Sequence, residues 1–572
     1  MNGETFSGLL RRNAESGTTE GLRFMGLDGQ QEAYSWPEIY ERAQCVAGGL
    51  RERGIRPGER VSLVIPTNIT FFDAFFGIQL CGAVPVPLYP PVRLGRLDEY
   101  HQRTAAMLRA VSARLVLSDG RTWRILGESV RLAGTELGAQ LVDSVRSSPY
   151  FHESRPTDLG LIQFSSGTTV NPKPVALTHR NLTSNVRAIL SLIVPKLDPE
   201  LNRATGVTWL PLYHDMGLVG CVGPALVYPG SLFLIAPEQF LARPALWLRT
   251  LSQSRALVSP APNFAYSYCV DRIRDEEMTG VDLSGWAWAL NGAEPVAPET
   301  LRRFSERFSR WGFRPEALTP VYGLAEATLA VSFSEHGKGL QTSRFSRDAL
   351  ASARVEPAPD GVELVSVGRP LPGVEVRVDS EGLGAVQVRG PSVMSGYYNR
   401  PDLDAAALVD GWLNTGDLGF FHDGELYITG RFKDVLLLRG KNHAPHEVEQ
   451  AGDQVAGVRR GCIAAVSYRP EGLEHEQLWV IAEIVEGADP ALVGPALIAE
   501  ILAVTALKVE RLELVPPGTL PRTSSGKIRR SESLARLLAG TLKPPGAVNV
   551  LTIGAAMLRG TLGHWQNRRD GR

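Results

Sequence analysis

The chain has 572 residues, of which 44% are hydrophobic and 21% are charged, and its formal net charge at pH 7 is -1. This length is enough for several domain-sized units with a large core, and the composition is that of an ordinary globular protein. A balance so close to neutrality excludes a general attraction to nucleic acid or to an anionic membrane, so any electrostatic recognition must be local.

The first half of the chain alternates helical and strand patterns. Ser35 is a predicted N-cap with Pro37 in the first turn of the following helix, and Gly54 ends that helix. Predicted strands and helices then alternate as far as Trp288-Ala-Leu. This alternation predicts an α/β fold, in which helices cover a large parallel or mixed β-sheet.

Five cysteines are scattered along the chain without CxxC spacing: Cys45, Cys81, Cys221, Cys269 and Cys462. An odd, dispersed set predicts reduced thiols in a cytoplasmic protein, and neither a disulfide framework nor a zinc site. The first residues, MNGETFSGLLRRNAESG, contain no long apolar run, so we expect no secretory signal.

One uncharged stretch of 21 residues, Met216 to Ala236, reaches the length of a membrane span. Pro224 and Pro229 interrupt it, and charged residues flank it on both sides. We therefore expect a buried helix followed by a strand, and no stable membrane insertion.

The pattern of the chain changes three times after the first half. Residues 337–361 are polar and weakly periodic, which is typical of an insertion; short strands and tight turns then predict a small β-rich subdomain at about 368–432. The predicted domains are an N-terminal domain at 1–432, a smaller mobile α+β C-terminal domain at 433–540, and a tail at 541–572, interpreted as a mobile end or a short helix.

The segment FSSGTTVNPKPVALTH, Phe164 to His179, is the first candidate for chemistry. Hydroxyl side chains, a glycine that lets a ligand approach the backbone, and a lysine fall between two apolar runs. Such a loop suits phosphate oxygens. Taken alone, it is more typical of a solvated Ser/Thr turn.

Several common catalytic motifs are missing from the sequence: GxxxxGK[ST], GxGxxG, HExxH and GxSxG. Separated short motifs occur instead. Asn291-Gly-Ala-Glu-Pro places a turn after a predicted strand, where exposed backbone can meet the edge of a flat heterocycle. Tyr322 can stack on a base, and Glu326, four residues on, can bind a hard cation.

Three further motifs lie in the last third of the chain. Asp417, in a tight turn, can accept hydrogen bonds from a sugar diol, and Arg431 adds a rigid cationic fork. Lys527 falls at the predicted tip of an exposed, flexible loop, PRTSSGK. Each of these residues taken singly has an ordinary structural interpretation.

Six such motifs in this order closely resemble the adenylate-forming superfamily of acyl-CoA synthetases, adenylation domains and luciferases, over residues 20 to 540. Within it, the details are similar to the fatty acyl-AMP ligases. The segments that carry this likeness are AVPVPLYPPVRLGRLDEY (83–100), WLPLYHDMGLVG (209–220), NGAEPVAPETLRRF (291–304), YGLAEATLAVSF (322–333) and GRFKDVLLLRGKNHAPHEVE (430–449). The insertion at 337–361 sits where that branch carries an extra segment, which disfavours free coenzyme A.

The resemblance implies a two-step reaction. A fatty carboxylate attacks the α-phosphorus of ATP, giving acyl-AMP and pyrophosphate. The thiol of a phosphopantetheine arm on an acyl carrier protein then takes the acyl group. ATP and Mg²⁺ are the implied cofactors.

The resemblance also implies a role for each motif residue. The residues that would bind phosphate are Ser165, Ser166, Gly167, Thr168, Thr169 and Lys173, and those that would bind Mg²⁺ are Glu326 and Thr168. The residues that would bind adenine are Asn291, Gly292, Ala293 and Tyr322. Asp417 and Arg431 would bind the ribose. Catalysis falls to Lys527, which bridges carboxylate and α-phosphate, and to His214, where the acyl pocket meets the nucleotide. Lys433 occupies the hinge between the domains.

The phosphate loop departs from the family at two positions. Val170 and Pro174 stand where relatives carry glycine. A β-branched residue resists positive φ at a cost of about 1–2 kcal/mol, and proline removes a backbone N–H. Two alternatives therefore remain beside the fatty acyl-AMP ligase: an acyl-CoA synthetase, and a catalytically impaired acyl- or nucleotide-binding relative.

Overall fold

The computed structural model describes residues 4–91, 94–165, 173–196, 205–438, 441–473, 475–523, 526–546 and 550–570. The predicted fold class is confirmed: the molecule is α/β, with a large N-terminal domain of helix-covered sheets and a small C-terminal domain. The individual domain boundaries remain predictions.

The first part of the chain alternates strands and helices as predicted. Its strands are β1 (Gly21–Met25), β2 (Gln31–Ser35), β3 (Arg60–Val64), β4 (Val84–Pro87), β5 (Leu115–Ser118), β6 (Ala139–Leu141), β7 (Leu159–Phe164) and β8 (Pro174–Thr178). Its helices are α1 (Phe6–Glu15), α2 (Trp36–Glu52), α3 (Ile69–Leu80), α4 (Leu97–Ala110), α5 (Gly120–Ala133) and α6 (His179–Ile193).

The middle part completes the sheets of the N-terminal domain. Its strands are β9 (Gly206–Thr208), β10 (Leu232–Ile235), β11 (Val258–Ala261), β12 (Trp288–Asn291), β13 (Leu318–Gly323), β14 (Ala330–Phe333), β15 (Thr342–Phe345), β16 (Val362–Val365), β17 (Arg369–Pro370), β18 (Glu375–Val378), β19 (Gly384–Arg389), β20 (Gly396–Tyr397), β21 (Leu408–Val409), β22 (Trp412–His422) and β23 (Glu425–Arg431). Its helices are α7 (Asp215–Gly217), α8 (Gly223–Val227), α9 (Pro237–Ala242), α10 (Ala245–Ser254), α11 (Asn263–Arg272), α12 (Pro298–Phe308), α13 (Arg347–Ala351) and α14 (Pro401–Ala407).

The last part forms the C-terminal domain and the tail. Its strands are β24 (Leu436–Leu438), β25 (Lys441–His443), β26 (Val458–Tyr468), β27 (Gln477–Ile484) and β28 (Arg511–Val515). Its helices are α15 (Pro445–Gly452), α16 (Pro490–Thr505), α17 (Arg530–Leu538) and α18 (Val550–Asp570).

The largest sheet has the strand order β17-β14-β13-β12-β11-β9-β10-β1-β2 within the described residues. Its centre, from β13 to β1, is parallel, while β14 and β2 run antiparallel at either side. A second sheet, β4-β3-β5-β6, is entirely parallel. Parallel strands must be covered on both faces, which explains their nearly continuous apolar sequences.

Helix α2 begins as the sequence predicts. The Ser35 hydroxyl and the Glu38 carboxylate form a reciprocal capping box with the backbone, and Pro37 occupies the first turn. Such a cap contributes about 1 kcal/mol to helix stability. The face that follows is fully buried against the core of the N-terminal domain.

The uncharged stretch from 216 to 236 is confirmed as buried helix and strand. It forms α7, a π-helical turn at Leu218–Val222, α8 and then β10. Among the helices that the structure describes, none combines the length and apolarity needed to cross a bilayer. All five cysteines are unpaired thiols, and the pKa of each of the buried Cys81, Cys221, Cys269 and Cys462 is raised because burial disfavours the thiolate.

The C-terminal domain has its own apolar core. Its three-stranded sheet, β26-β27-β28, packs against α15 and α16 through a cluster that includes Val448, Val480 and Leu497. This cluster is separate from the large core of the N-terminal domain. The two domains can therefore keep their own structures while their contact changes.

The tail corrects the sequence prediction. A mobile end or a short helix was expected, but α18 is a 21-residue helix packed lengthwise on α5 of the N-terminal domain. Close approach is possible because glycines face each other: a Cβ atom at Gly560 would collide with the carbonyl oxygen of Arg124, and one at Gly563 with the backbone of Gly127. Composition alone cannot signal such helix pairing.

Stacking and a hydrogen bond fix the register of the two helices. The His564 ring stacks on Trp123 with centroids 4.0 Å apart, and its Nε2 bonds the Trp123 carbonyl oxygen at 2.7 Å. Asn567 Nδ2 donates to the Thr135 carbonyl oxygen at 3.2 Å.

Gly560→Ala should loosen α18 from α5, whereas Gly554→Ala, where an added Cβ meets open space, should not. Both changes favour the helix by about 1 kcal/mol through backbone entropy, so docking is the only difference between them. We expect faster amide hydrogen exchange in residues 550–570 of the first variant alone. Equal exchange in the two variants would contradict glycine-dependent docking.

Candidate functional site

The site forms where the ends of β12 and β13, the β22–β23 hairpin and a turn of the C-terminal domain meet. Asp417 is at its centre and is only 6% exposed. The Tyr322 hydroxyl donates to Asp417 Oδ2 at 2.7 Å, and Arg431 Nε donates to Oδ1 at 3.1 Å. Asp417 and Arg431 are direct cross-strand neighbours, so the hairpin register dictates their pairing.

This charge arrangement is visible in the pKa values. The Asp417 carboxylate raises the pKa of Arg431, and burial together with that carboxylate raises the pKa of Tyr322 well above its ordinary value. Tyr322 therefore stays a neutral donor and Arg431 stays a cation across the physiological range.

Asn291, at the end of β12, is fully buried, and its side-chain oxygen has no hydrogen-bond partner among the described residues. Its amide nitrogen lies 3.5 Å from Asn263 Oδ1. Leaving a buried acceptor unpaired costs about 1–3 kcal/mol, so this atom is suited to an N–H donor on a ligand.

The turn after Asn291 has unusual backbone geometry. Ala293 adopts φ +69°, in the left-handed region, and a side chain at Gly292 would collide with Val321. Strain of this kind in a non-glycine residue is concentrated at functional sites. The turn also presents Glu294, whose carboxylate accepts from the Phe264 backbone N–H at 2.6 Å.

His214 and Asp215 form a close pair at the start of α7, where His214 is the N-cap and Asp215 the first helical residue. His214 Nδ1 lies 2.6 Å from Asp215 Oδ1, which also accepts from the Met216 backbone N–H at 2.7 Å. Burial opposes ionisation of Asp215, but His214 and these hydrogen bonds outweigh it and hold its pKa below the ordinary value.

Lys527 reaches this site from the C-terminal domain. Burial and the nearby Arg431 lower its pKa, while Glu294, Asp215 and Asp417 act in the opposite direction. The charges of all three acidic groups of the N-terminal domain therefore act on this lysine. Sequence reasoning expected an exposed loop tip, but the side chain is partly buried.

A compact turn holds Lys527. The Thr523 backbone N–H donates to the Lys527 carbonyl oxygen at 2.7 Å, and the Lys527 N–H donates to Thr523 Oγ1 at 3.0 Å. Arg529 closes the turn by donating its backbone N–H to the Pro521 carbonyl oxygen at 2.9 Å. These bonds fix the backbone of Lys527.

The base of the predicted phosphate loop is an antiparallel β7–β8 hairpin. Phe164 pairs with Pro174, and the Ser165 N–H donates to the Lys173 carbonyl oxygen at 3.0 Å. Pro174 starts β8, where a missing N–H is tolerated, and its carbonyl oxygen accepts from Tyr398 at 2.7 Å. The predicted phosphate ligands Ser166, Gly167, Thr168 and Thr169, and also Val170, lie outside the described residues.

Lys173 and Glu326 share one aromatic partner. Lys173 Nζ lies 4.9 Å from the centroid of the Tyr397 ring, and the Tyr397 hydroxyl donates to Glu326 Oε1 at 2.9 Å. Burial lowers the pKa of Lys173, and Glu326 opposes that shift. The described residues contain no group of three or more potential metal ligands, so Glu326 is a single carboxylate.

Lys433, the predicted hinge residue, is exposed in the turn Phe432–Asp434 between the domains. The same turn is anchored by Asp434, whose Oδ2 lies 3.0 Å from Arg530 Nη1. Lys433 also contributes to lowering the pKa of Lys173.

Sequence reasoning missed three residues of this site: Asp215, Glu294 and Tyr397. The first two stand beside residues that the motifs did single out, so their charge and position were a usable signal. Pairing of β20 with β8 places Tyr397 opposite Val175, close to Lys173, and no local pattern predicts this pairing.

Comparison with known proteins places this geometry in a family. Residues 11–398 match the family described as AMP-binding enzyme. The chain is 34% identical over 551 residues to the long-chain-fatty-acid–AMP ligase FadD26 of Mycobacterium tuberculosis, covering 89% of this chain and 92% of that protein. It is 34% identical over 554 residues to the medium-chain-fatty-acid–[acyl-carrier-protein] ligase JamA of Moorena producens, covering 90% and 92%.

The fold gives the same answer. A solved structure from studies of fatty acyl-adenylate ligases of E. coli and L. pneumophila superimposes with a TM-score of 0.86 and 31% identity, covering 94% of this chain and 98% of that one. The chain belongs to the family of AMP-binding enzymes, as an ATP-dependent adenylate-forming ligase of the fatty acyl-AMP ligase branch.

Proposed function

We propose that this enzyme joins a fatty carboxylate to ATP, releasing pyrophosphate, and then transfers the acyl group to the phosphopantetheine thiol of an acyl carrier protein in the cytoplasm. The observation that carries the first step is that the charges of Asp417, Glu294 and Asp215 of the N-terminal domain act on Lys527 of the C-terminal domain. The relatives named above support the fatty substrate, and JamA supports the carrier protein as acceptor.

Nucleotide binding is assigned to two faces of the site. The unpaired Asn291 oxygen accepts from the adenine amino group, while the backbone of Gly292 and Ala293 and the ring of Tyr322 flank the base. Asp417 accepts from the ribose hydroxyls, and Arg431 keeps that carboxylate oriented through its 3.1 Å hydrogen bond. Tyr322 also donates to Asp417, so base and sugar are positioned by one connected network.

The phosphates are assigned to Ser165 and Lys173 at the base of the β7–β8 hairpin, together with Ser166, Gly167, Thr168 and Thr169. Glu326 fits a nucleotide-bound Mg²⁺, which needs only one or two protein carboxylates because phosphate oxygens and waters complete its coordination. Thr168 would be the second protein ligand. The ion would neutralise phosphate charge; the protein residues orient the nucleotide around it.

Lys527 acts at the reacting atoms. With no ligand present, burial and Arg431 weaken its hold on a proton. An incoming carboxylate and α-phosphate bring negative charge that favours the ammonium form, so binding the substrates completes the charge balance. The ammonium then stabilises negative charge that develops between carboxylate oxygen and phosphorus. Asp215 keeps His214 oriented beside the acyl pocket.

An apolar wall begins directly after His214. Leu218, Val219 and Val222 of the π-helical turn are fully buried, which supports a pocket for an alkyl chain. Packing of the core explains the same burial. π-Helical turns are nonetheless rare and are frequent at functional sites.

The insertion touches the C-terminal domain, which supports its proposed role in acceptor choice. Arg347 Nη1 donates to the Val504 carbonyl oxygen at 2.5 Å, and Asp348 pairs with Lys441 at 2.7 Å. The insertion therefore lies against the part of the enzyme that would have to move around Lys433 before a thiol could enter.

The function is tested with ATP, Mg²⁺ and fatty acids of graded length, followed by two acceptors, a holo acyl carrier protein and free coenzyme A. We expect acyl-AMP from a limited range of chain lengths and transfer to the carrier thiol. Efficient formation of acyl-CoA would favour the acyl-CoA synthetase alternative. If no fatty acid yields an adenylate, the first step is refuted and the catalytically impaired relative is favoured. Val170→Gly should then restore adenylate formation.

Lys527→Ala should lower the rate of acyl-AMP formation about 100-fold or more, as removal of a single donor to a developing charge does in other enzymes. ATP–pyrophosphate exchange dependent on fatty acid measures this step. Lys508→Ala, at an exposed lysine of the same domain, is the matched control and should leave exchange unchanged. An active Lys527→Ala variant would remove Lys527 from the mechanism.

Asp417→Ala should abolish discrimination between ATP and its 3′-deoxy analogue. Wild-type enzyme should use the analogue about 10- to 100-fold less efficiently, because a buried carboxylate is left without its partner. The comparison of kcat/KM for the two nucleotides gives the ratio. Asp423→Asn, at the exposed tip of the same hairpin, should keep the wild-type ratio.

A further inference from the structure

An ion-pair cluster joins the C-terminal domain to α4 of the N-terminal domain. At its centre is Glu532 of α17, which is 9% exposed. Arg103 of α4 donates from Nη2 to both of its carboxylate oxygens, at 2.8 and 3.0 Å. Within the C-terminal domain, Arg529 Nη1 donates to Glu532 Oε2 at 3.0 Å, and Arg536 Nη2 donates to Glu532 Oε1 at 2.6 Å.

The cluster has a second crossing. Arg536 donates from Nη1 and Nη2 to the two oxygens of Glu99 on α4, at 3.0 and 2.8 Å. Glu99 and Arg103 are four residues apart on α4, and Glu532 and Arg536 are four residues apart on α17. Each helix thus presents one acid and one base on a single face, and the two faces pair base to acid.

The pKa of Glu532 agrees with this geometry. Burial disfavours the Glu532 carboxylate, but Arg103 and Arg529 outweigh it and lower its pKa. Arg96 adds contacts at the same face, because its Nη2 donates to the carbonyl oxygens of Thr519 at 3.1 Å and Lys543 at 3.0 Å.

This face is rigidly linked to the catalytic lysine. Helix α17 begins at Arg530, three residues after Lys527, and Arg529 both binds Glu532 and closes the turn that holds the lysine. A displacement of α17 from α4 therefore moves Lys527 out of the nucleotide site.

We propose that Arg103 and Glu99 are positioning residues for adenylate formation, which hold Lys527 in the site through their ion pairs with Glu532 and Arg536. This inference rests on the role proposed for Lys527. The pairs span the domain boundary, so they must break whenever the C-terminal domain leaves this position, and they bias the enzyme toward the first reaction step.

Arg103→Gln should lower fatty-acid-dependent ATP–pyrophosphate exchange about tenfold, within the range of coupling energies between contacting groups. Glu532 keeps Arg529 and Arg536, so the C-terminal domain retains its own ion pairs. Amide hydrogen exchange of residues 521–529 should rise in the same variant. Arg109→Gln, on the same helix but bonded only to the Leu132 carbonyl oxygen in the described structure, is the control and should change neither measurement.

Two further measurements separate positioning from a general loss of structure. Arg103→Lys should retain most of the wild-type rate of ATP–pyrophosphate exchange. In Arg103→Gln, the rate of acyl transfer from supplied acyl-adenylate to a thiol acceptor should not fall. Glu99→Gln, at a more exposed position, should give a milder loss of ATP–pyrophosphate exchange. It replaces Arg103→Gln in the test if Arg103→Gln folds poorly.

The double variant that carries both Arg103→Gln and Lys527→Ala tests whether Arg103 acts through Lys527. If Arg103 acts through Lys527, adding Arg103→Gln to Lys527→Ala causes no further loss in single-turnover adenylation. Three results would each overturn the inference. They are additive losses in the double variant, unchanged ATP–pyrophosphate exchange in both Arg103→Gln and Glu99→Gln, and an equal fall in the rates of both reaction steps. A fully active Lys527→Ala variant would instead refute the role proposed for Lys527.

Discussion

The partly buried Lys527 has to keep its proton close to the positive charge of Arg431, and this constraint shapes the whole active region. Three carboxylates of the N-terminal domain, on Asp215, Glu294 and Asp417, compensate it from different elements. Asp417 is itself shared with Tyr322 and Arg431, so the proposed ribose site and the proposed catalytic site have a common centre. A buried, nearly balanced set of charges is sensitive to added charge, which suits a site that must respond to an incoming carboxylate and phosphate.

Bringing the lysine to this place requires a contact between two separately folded domains. The C-terminal domain has its own apolar core, and its contact with α4 includes the ion pairs of Glu532 with Arg103 and of Arg536 with Glu99. Ionic contacts of this kind specify orientation strongly, while their net stability is modest because the charges must be desolvated. Such an interface is appropriate for domains that meet in one defined position and separate again.

Helix α18 gives the chain a further link to the N-terminal domain. The backbone passes from α17 to a helix docked on α5, and α5 is the neighbour of α4. The α4–α5 pair therefore receives both the ion-pair face of the C-terminal domain and the tail. In the β7–β8 hairpin, which is proposed to bind phosphate, Pro174 fits the first position of β8 and its carbonyl oxygen is paired. At that position the departure from the family sequence is compatible with a regular strand.

Sequence by itself determined the α/β class, the capped start of α2, the buried nature of residues 216–236 and the chemical identity of the motif residues. These features depend on local periodicity, capping and residue type, which are written in short stretches of chain. It did not determine that Tyr322, Asp417 and Arg431 form one hydrogen-bonded network, because Tyr322 and Asp417 are 95 residues apart and meet only through the tertiary contact of their side chains. Nor did it reveal the burial of Lys527, the ion pairs of Glu532 or the docking of α18. Those depend on which surfaces of distant elements face each other, and only the tertiary structure decides that.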